Sequence, residues 1–281
     1  MKKYIIYLLL LFSVSVSLAQ NFEPTKEEEE KYMPLLQQMG GIEKNGISDR
    51  VLHILDSAYA IDSNSVLLKG LLGEFNLRLI YDSLRTDRIP QEISILQSMF
   101  RSDIDDETKR QLYNTLGLLY KHSGKYDIAI NYFTQLLLIS PTIEDQNFGK
   151  DNLVNTYNAA GYYKMALDTV HSLFHSGVTD NECLFAETYY HNNLLDSALL
   201  YANQCLGTNG NNYSMLITKA KILKAQGETE DICPLAQQAM ALIEKPNFEE
   251  ILARRDKTNP FIQLIIKNVE EAKQLQKEYC K

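Results

Sequence analysis

The fold of this chain is constrained most by one stretch near its middle, residues 110–143 (RQLYNTLGLLYKHSGKYDIAINYFTQLLLISPTI). Its apolar residues recur at steps of three and four, which is the spacing of an amphipathic helix and not of a strand. Gly124 interrupts the pattern in its middle, and Pro141 ends the second apolar run. The stretch therefore predicts two helices joined by a tight turn. Each helix has an apolar face that only neighbouring helices can bury.

The same pattern recurs three times further along the chain, with fewer matching positions. The matching residues are Leu153, Tyr157, Gly161, Tyr163, Ala166 and Leu173 within 147–180; Phe185, Ala186, Tyr189, Leu195, Ala198 and Ala202 within 179–210; and Ala220, Leu223, Gly227, Ala236 and Ala239 within 213–244. Turns are predicted near Gly161, Asn193 and Gly227. Copies that keep one register indicate a stacked array of helix pairs.

Residues 110–143 resemble the tetratricopeptide repeat. The resemblance rests on Tyr113, Leu116, Gly117, Tyr120, Ala129, Phe133 and Pro141, with Tyr113 standing where tryptophan is commonest. Gly117 and Ala129 are small where the two antiparallel helices cross, which lets the backbones approach. The resemblance implies an all-α solenoid of stacked antiparallel helix pairs, with four repeats in residues 106–245.

The remaining helices are predicted by periodicity alone. Residues 48–105 read as divergent helical hairpins, with helices at 48–60 and 65–84 and a third after Pro90. Residues 246–281 read as C-terminal capping helices. The last of these begins at Asn259-Pro260, because asparagine caps a helix and proline suits its first position.

The N-terminus has the features of a secretory signal peptide, residues 1–19. Lys2 and Lys3 precede an apolar run, residues 4–12, and cleavage is predicted after Ala19. An uncleaved membrane anchor is the alternative, but the apolar run falls short of the ~20 residues that a spanning helix needs. Residues 20–47 are acidic and read as a flexible tether. We therefore expect an exported protein, periplasmic or secreted, of a bacterial envelope.

Composition excludes one class of partner. The net charge is −8, and removal of Lys2 and Lys3 with the signal takes it to −10. An acidic chain without a basic stripe repels phosphate backbones, so nucleic acid is not expected to bind. A hydrophobic content of 45% can support a packed core.

The four cysteines, Cys183, Cys205, Cys233 and Cys280, are interpreted as small core residues. They lack the close spacing of a zinc site. Cys183 and Cys205 are expected to face different seams of the array and to stay unbonded. Whether Cys233 and Cys280 form a disulfide is left open.

Catalytic and metal-binding patterns are weak. His171 and His175 share a helix face and, with Glu187 and His191, are the one candidate metal site, but a solvated helix end is the preferred interpretation. The acidic pairs, such as Asp105-Asp106, read as helix starts. The sequence predicts no enzyme, no catalytic residues, no metal and no cofactor.

The resemblance also implies where a partner binds. In this family the first helices of successive repeats line a concave groove. The corresponding positions here are Gln111, Asn114, Leu118, Lys121, His122, Asp151, Asn155, Asn158, Glu187, Tyr190, His191, Lys221 and Lys224. Amide side chains such as Asn155 and Asn158 can pair with the peptide groups of an extended segment.

The predicted function is therefore a non-enzymatic scaffold that binds a protein or an extended peptide segment in an open trough. The alternative is a glycan- or small-molecule-binding envelope protein, since 17 tyrosines could provide stacking surfaces. The partner, the pathway and the oligomeric state are not specified by the sequence.

Overall fold

The computed structural model describes residues 30–38, 49–83, 85–100, 104–175, 177, 181–244, 252–253 and 255–280. Helices are the regular secondary structure of these residues, and no strand occurs among them. The predicted signal peptide lies outside them. The chain divides into two compact units between Arg101 and Ser102. No helix in the described ranges is both long and apolar enough to cross a lipid bilayer.

The N-terminal unit contains the three helices predicted by periodicity, and a short helix before them that was not predicted. They are α1 (Met33–Gln37), α2 (Asp49–Ile61), α3 (Val66–Ser83), a 3-10 turn (Thr86–Arg88) and α4 (Ile89–Ser98). Their apolar faces meet in one core that includes Leu55, Leu72 and Ile95. Tyr32 is fully buried there, and its hydroxyl lies 2.8 Å from Ser65 Oγ. Residues 30–38 of the predicted tether therefore belong to this folded unit.

A buried polar network links α2, α3 and α4. The side chain of Glu92 is fully buried, and Asn76 Nδ2 donates to its Oε2 at 3.2 Å. Arg88 donates to Asn76 Oδ1 at 2.9 Å and to Asp56 Oδ1 at 2.8 Å. Burial raises the pKa of Glu92 to about 7, although the Asn76 hydrogen bond and the Arg88 charge both oppose this.

The second unit contains the four predicted helix pairs, each packed as an antiparallel hairpin. The pairs are α5 (Asp106–His122) with α6 (Tyr126–Ile139), α7 (Ile143–Ala160) with α8 (Tyr163–His175), α9 (Glu182–His191) with α10 (Leu195–Thr208), and α11 (Tyr213–Gln226) with α12 (Ile232–Ile243). Asp105 and Thr142 cap two of the first helices. Gly124, Asn193 and Gly227 have positive φ at the turns, as glycine and asparagine allow.

The crossing of α5 and α6 depends on a glycine. A Cβ atom on Gly117 would lie 2.6 Å from a ring carbon of Phe133, which is closer than two non-bonded carbon atoms approach in proteins. Phe133 and Ala129 are both fully buried at this contact. The predicted role of Gly117 in helix approach thus has a geometric basis.

The interpretation of the cysteines was wrong. Cys183 bonds to Cys205 and Cys233 bonds to Cys280, each pair with a Cα–Cα distance of 5.0 Å. Cys183 lies at the start of α9 and Cys205 near the end of α10. In an antiparallel hairpin the start of the first helix lies beside the end of the second, so the two residues face one another and not different seams.

The final helix, α13 (Pro260–Tyr279), begins as predicted, because Asn259 Oδ1 accepts from the backbone N–H groups of Phe261 and Ile262. It packs against α12 and α11, and its Ala272 and Leu275 belong to the apolar core of the last repeat. The Cys233–Cys280 bond fixes its C-terminal end to α12.

Candidate binding groove

The first helices of the repeats, α5, α7, α9 and α11, and the final helix α13 line a partly open cavity of about 340 Å³, which we call the chamber. Its lining includes Lys121 and His122 of α5, Asn155 and Asn158 of α7, Glu187, Tyr190 and His191 of α9, Lys221 of α11, and Phe261, Leu264, Lys267, Asn268 and Glu271 of α13. All four repeats therefore contribute side chains to one concave space.

Helix α13 reaches from the last repeat to the first. At its C-terminal half, Glu271 accepts from Lys221 at 3.1 Å and Glu278 from Lys224 at 2.9 Å. At its N-terminal end, the ring of Phe261 lies edge-on to the ring of His122, with centroids 4.4 Å apart. The chain's own last helix therefore forms one wall of the predicted groove, which the sequence did not indicate.

Burial and neighbouring charges have opposite effects on the pKa values of Lys121 and Glu187. Burial lowers the pKa of Lys121, and the Glu187 carboxylate partly opposes this. Burial raises the pKa of Glu187, and the ammonium groups of Lys221 and Lys121 oppose it. Among the described residues, neither side chain makes an ion pair or a hydrogen bond.

The two histidines of the chamber are held in their neutral form. Burial, together with the positive charge of Lys121, lowers the pKa of His122 to about 4. Burial is also the largest cause that lowers the pKa of His191, whose ring stacks on Tyr163 with centroids 4.5 Å apart. Both rings therefore act as aromatic wall groups near neutral pH.

The structure sorts the thirteen predicted groove residues into three sets. Eight line the chamber: Lys121, His122, Asn155, Asn158, Glu187, Tyr190, His191 and Lys221. Lys224 lines an adjoining cavity against α13, and Asp151 lines another between α7 and α9. Gln111, Asn114 and Leu118 line none of these three cavities; Asn114 Oδ1 instead accepts from Asn152 Nδ2 at 2.9 Å.

Sequence reasoning missed the side of the chamber that α13 supplies. Phe261, Leu264, Asn268 and Glu271 follow one another at steps of three and four, so they share one helix face. This second stripe lies beside the apolar stripe that docks on the last repeat. Two faces that both carry apolar residues were a signal that α13 contacts more than the last repeat.

The candidate metal site is not assembled. His171 and His175 are exposed on α8. Glu187 and His191 lie on α9 and face the chamber. No group of three or more potential metal ligands occurs within the described ranges.

One family model matches the sequence, the tetratricopeptide repeat, over residues 112–146. This match lies within the stretch that carries the resemblance in sequence. No protein of curated function matches the chain.

Several solved structures resemble this fold. A tetratricopeptide repeat protein from Parabacteroides merdae ATCC 43184 is 16% identical with a TM-score of 0.50, and the alignment covers 90% of this chain and 91% of that one. MamA MSR-1 C2 is 18% identical with a TM-score of 0.43, over 62% and 97% of the two chains. The TPR2AB-domain–pHSP90 complex of yeast Sti1 is 10% identical with a TM-score of 0.31, over 88% and 98%.

Proposed function

We propose that this tetratricopeptide repeat protein is a non-enzymatic scaffold, which binds a protein or an extended peptide segment in the groove of its first helices. Stacked helix pairs form extended concave surfaces that suit protein–protein interaction. The function is argued from the site, because a fold of this kind hosts many functions.

One observation carries the proposal: polar side chains from all four repeats converge on one concave surface. Asn155 is exposed there, and Asn158 donates from Nδ2 to Thr188 Oγ1 at 2.8 Å. Amide groups along a groove can exchange hydrogen bonds with the backbone of an extended chain.

The route for such a segment is the part of the groove that α13 leaves open. A second cavity of about 360 Å³ lies between α7 and α9 and is lined by Asp151, Asn155, Asn181 and Glu187. It shares Asn155 and Glu187 with the chamber, so the two cavities meet at these side chains. We place the partner segment in this outer cavity, along α7 and α9.

The groove favours a protein partner over a glycan. Glycan recognition needs exposed aromatic faces, but the ring of Tyr190 already carries Lys221 Nζ at 5.4 Å from its centroid. Tyr120 and Tyr132 stack on each other with centroids 5.5 Å apart, as do Tyr189 and Tyr201. These rings support the helix pairs.

We also place the protein outside the cytoplasm, in the periplasm or beyond. The signal-like N-terminus supports this location, and so do the two disulfides, because such bonds persist in oxidising compartments. Fractionation of the source cell, with mass determination of the mature N-terminus, tests it. A cytoplasmic chain that retains residues 1–19 would contradict it.

Site-specific photo-crosslinking in the source cell tests the partner site. A photoreactive residue at position 155, in the groove, is compared with one at position 138, where Leu138 is 73% exposed on the second helix α6. We expect one partner to be captured from position 155 and not from position 138. Capture should weaken when Asn181, which lines the outer cavity, is replaced by alanine. Equal capture from both positions would place binding outside the groove.

A further inference from the structure

The chamber holds two opposite charges that the protein itself does not pair. Lys121 of α5 and Glu187 of α9 both line it, and each affects the ionisation of the other. Within the described ranges neither has an ion pair or a side-chain hydrogen bond. Partly buried charges without partners are costly, so proteins seldom keep them unless a ligand completes the site.

The other charges of the chamber are already paired. Lys221 donates to Glu271 at 3.1 Å, and Lys267 lies 4.0 Å from the same carboxylate. The groups of the chamber without an ion pair in the described part of the chain are thus one ammonium and one carboxylate, on different helices and facing one space. A ligand that satisfies both must carry a carboxylate for Lys121 and an ammonium for Glu187.

Size and wall chemistry narrow the ligand further. A volume of about 340 Å³ lies at the lower end of the range for small-molecule sites, which favours a small ligand. The wall is mixed, with the apolar side chains of Phe261 and Leu264 beside the polar groups. Asn158 also lines the chamber, and its buried Oδ1 has no hydrogen-bond partner in the described part of the chain.

We propose that the chamber binds a small zwitterion of the amino-acid class, whose carboxylate pairs with Lys121 and whose ammonium pairs with Glu187. This site goes beyond the proposed scaffold function, because it lies in the chamber that α5, α11 and α13 help to line, whereas the partner segment is placed in the outer cavity between α7 and α9; Glu187 borders both cavities. The protein therefore takes a small ligand as well as a partner segment.

Calorimetric titration of the purified, disulfide-bonded chain tests the proposal with four probes: glycine, β-alanine, γ-aminobutyrate and δ-aminovalerate. The series varies only the distance between ammonium and carboxylate. We expect one member to bind best, since the positions of Lys121 and Glu187 fix one spacing. Butylamine and butyrate, which each carry one of the two charges, should bind about tenfold to a hundredfold more weakly.

Two variants locate the site. Glu187→Gln keeps the shape of the side chain, removes a desolvated charge and should fold normally, and it should weaken the best probe by about tenfold or more. Lys121→Met should have the same effect on binding. Glu144→Gln and Lys164→Met change the same charges at exposed positions of α7 and α8, and should leave binding unchanged.

The proposal fails if no zwitterion in the series binds at millimolar concentration. It also fails if butyrate or butylamine binds as tightly as the best zwitterion, or if Glu187→Gln leaves affinity unchanged. Loss of zwitterion binding in Lys121→Met with partner capture intact at position 155 would separate the two sites, because Lys121 lines the chamber and not the outer cavity. Capture of a partner without any zwitterion binding would overturn this inference alone.

Discussion

Each of the two units has a glycine at a helix crossing, but the side chain packed on that glycine is apolar in one unit and ionisable in the other. In the repeat unit, Gly117 makes room for the ring of Phe133, with 2.6 Å between a Cβ placed on the glycine and the ring. In the N-terminal unit, Gly73 makes room for the carboxyl group of Glu92, with 3.1 Å between a Cβ placed on the glycine and Oε1 of Glu92. Phe133 and Glu92 are both fully buried.

This difference separates two ways of holding helices together. The Phe133 contact is apolar, so its contribution does not change with pH. Glu92 must be desolvated, and its network with Asn76 and Arg88 compensates this only in part. The crossing of α5 and α6 should therefore contribute equally at every pH, whereas the contribution of the Glu92 crossing in the N-terminal unit should depend on protonation.

The largest effect is expected from Phe133→Ala. Truncation of a fully buried aromatic ring should lower the free energy of unfolding of the repeat unit by about 3–5 kcal/mol. Hydrogen exchange of amides in α5 and α6 measures it. Leu138→Ala on the same helix is the control, because an exposed side chain should change stability by less than about 0.5 kcal/mol. Equal effects of the two substitutions would contradict the assigned packing.

Reduction of the disulfides should affect one unit only. All four cysteines lie after residue 101, in the repeat unit. The Cys183–Cys205 bond closes a loop with a sequence separation of 22, and the loss of this constraint should cost about 3 kcal/mol. Hydrogen exchange with and without a reductant should show faster opening of α9 and α10, with no change in α2 and α3. Faster exchange in both units would show that their stabilities are coupled.

A change of pH should alter the stability of the N-terminal unit through Glu92. The pKa of Glu92 is raised from 4.5 to about 7, so the folded N-terminal unit binds a proton that the unfolded chain releases. Its contribution to stability is present below pH 4.5 and is lost as pH rises through about 7, by up to about 3 kcal/mol. Amide exchange of α3 and α4, corrected for intrinsic rates, follows this change.

Glu92→Gln should abolish that pH dependence, because the amide stays neutral at every pH. Glu30→Gln, at an exposed site, should retain it. A pH profile of α3 and α4 that is the same in Glu92→Gln and the parent chain would show that another group is responsible.

Local features of the sequence were enough to predict much of the fold. The four turns and the start of α13 follow from residues next to them in sequence, such as Gly124 and the Asn259-Pro260 pair. Helices α2, α3 and α4 of the N-terminal unit follow from periodicity, whereas α1 does not. These features depend on interactions within about one helical turn, which is the range that a sequence pattern reports.

Long-range contacts were not predictable in the same way. The docking of α13 across the groove depends on where its N-terminal end falls after the last repeat, and no local pattern specifies the contact between Phe261 and His122. The Cys183–Cys205 bond could have been predicted from the sequence, since hairpin geometry brings the start of α9 and the end of α10 together. The burial of Glu92 had no signal, because a single acidic residue on an amphipathic helix is usually solvated.

Alanine substitution of the two glycines should have the smallest effects on stability, and it compares the two helix crossings most directly. Gly117→Ala should destabilise the repeat unit by about 1–3 kcal/mol, because the new methyl group meets a ring that is held on all sides. Gly73→Ala should be close to neutral, because its methyl group meets a carboxyl oxygen that a small rotation can move, and alanine favours the helix by about 1 kcal/mol. Amide exchange in α5 and in α3 measures the two changes. If Gly73→Ala proves as costly as Gly117→Ala, the carboxyl group of Glu92 is as rigidly held as the ring of Phe133, and the polar crossing is no looser than the apolar one.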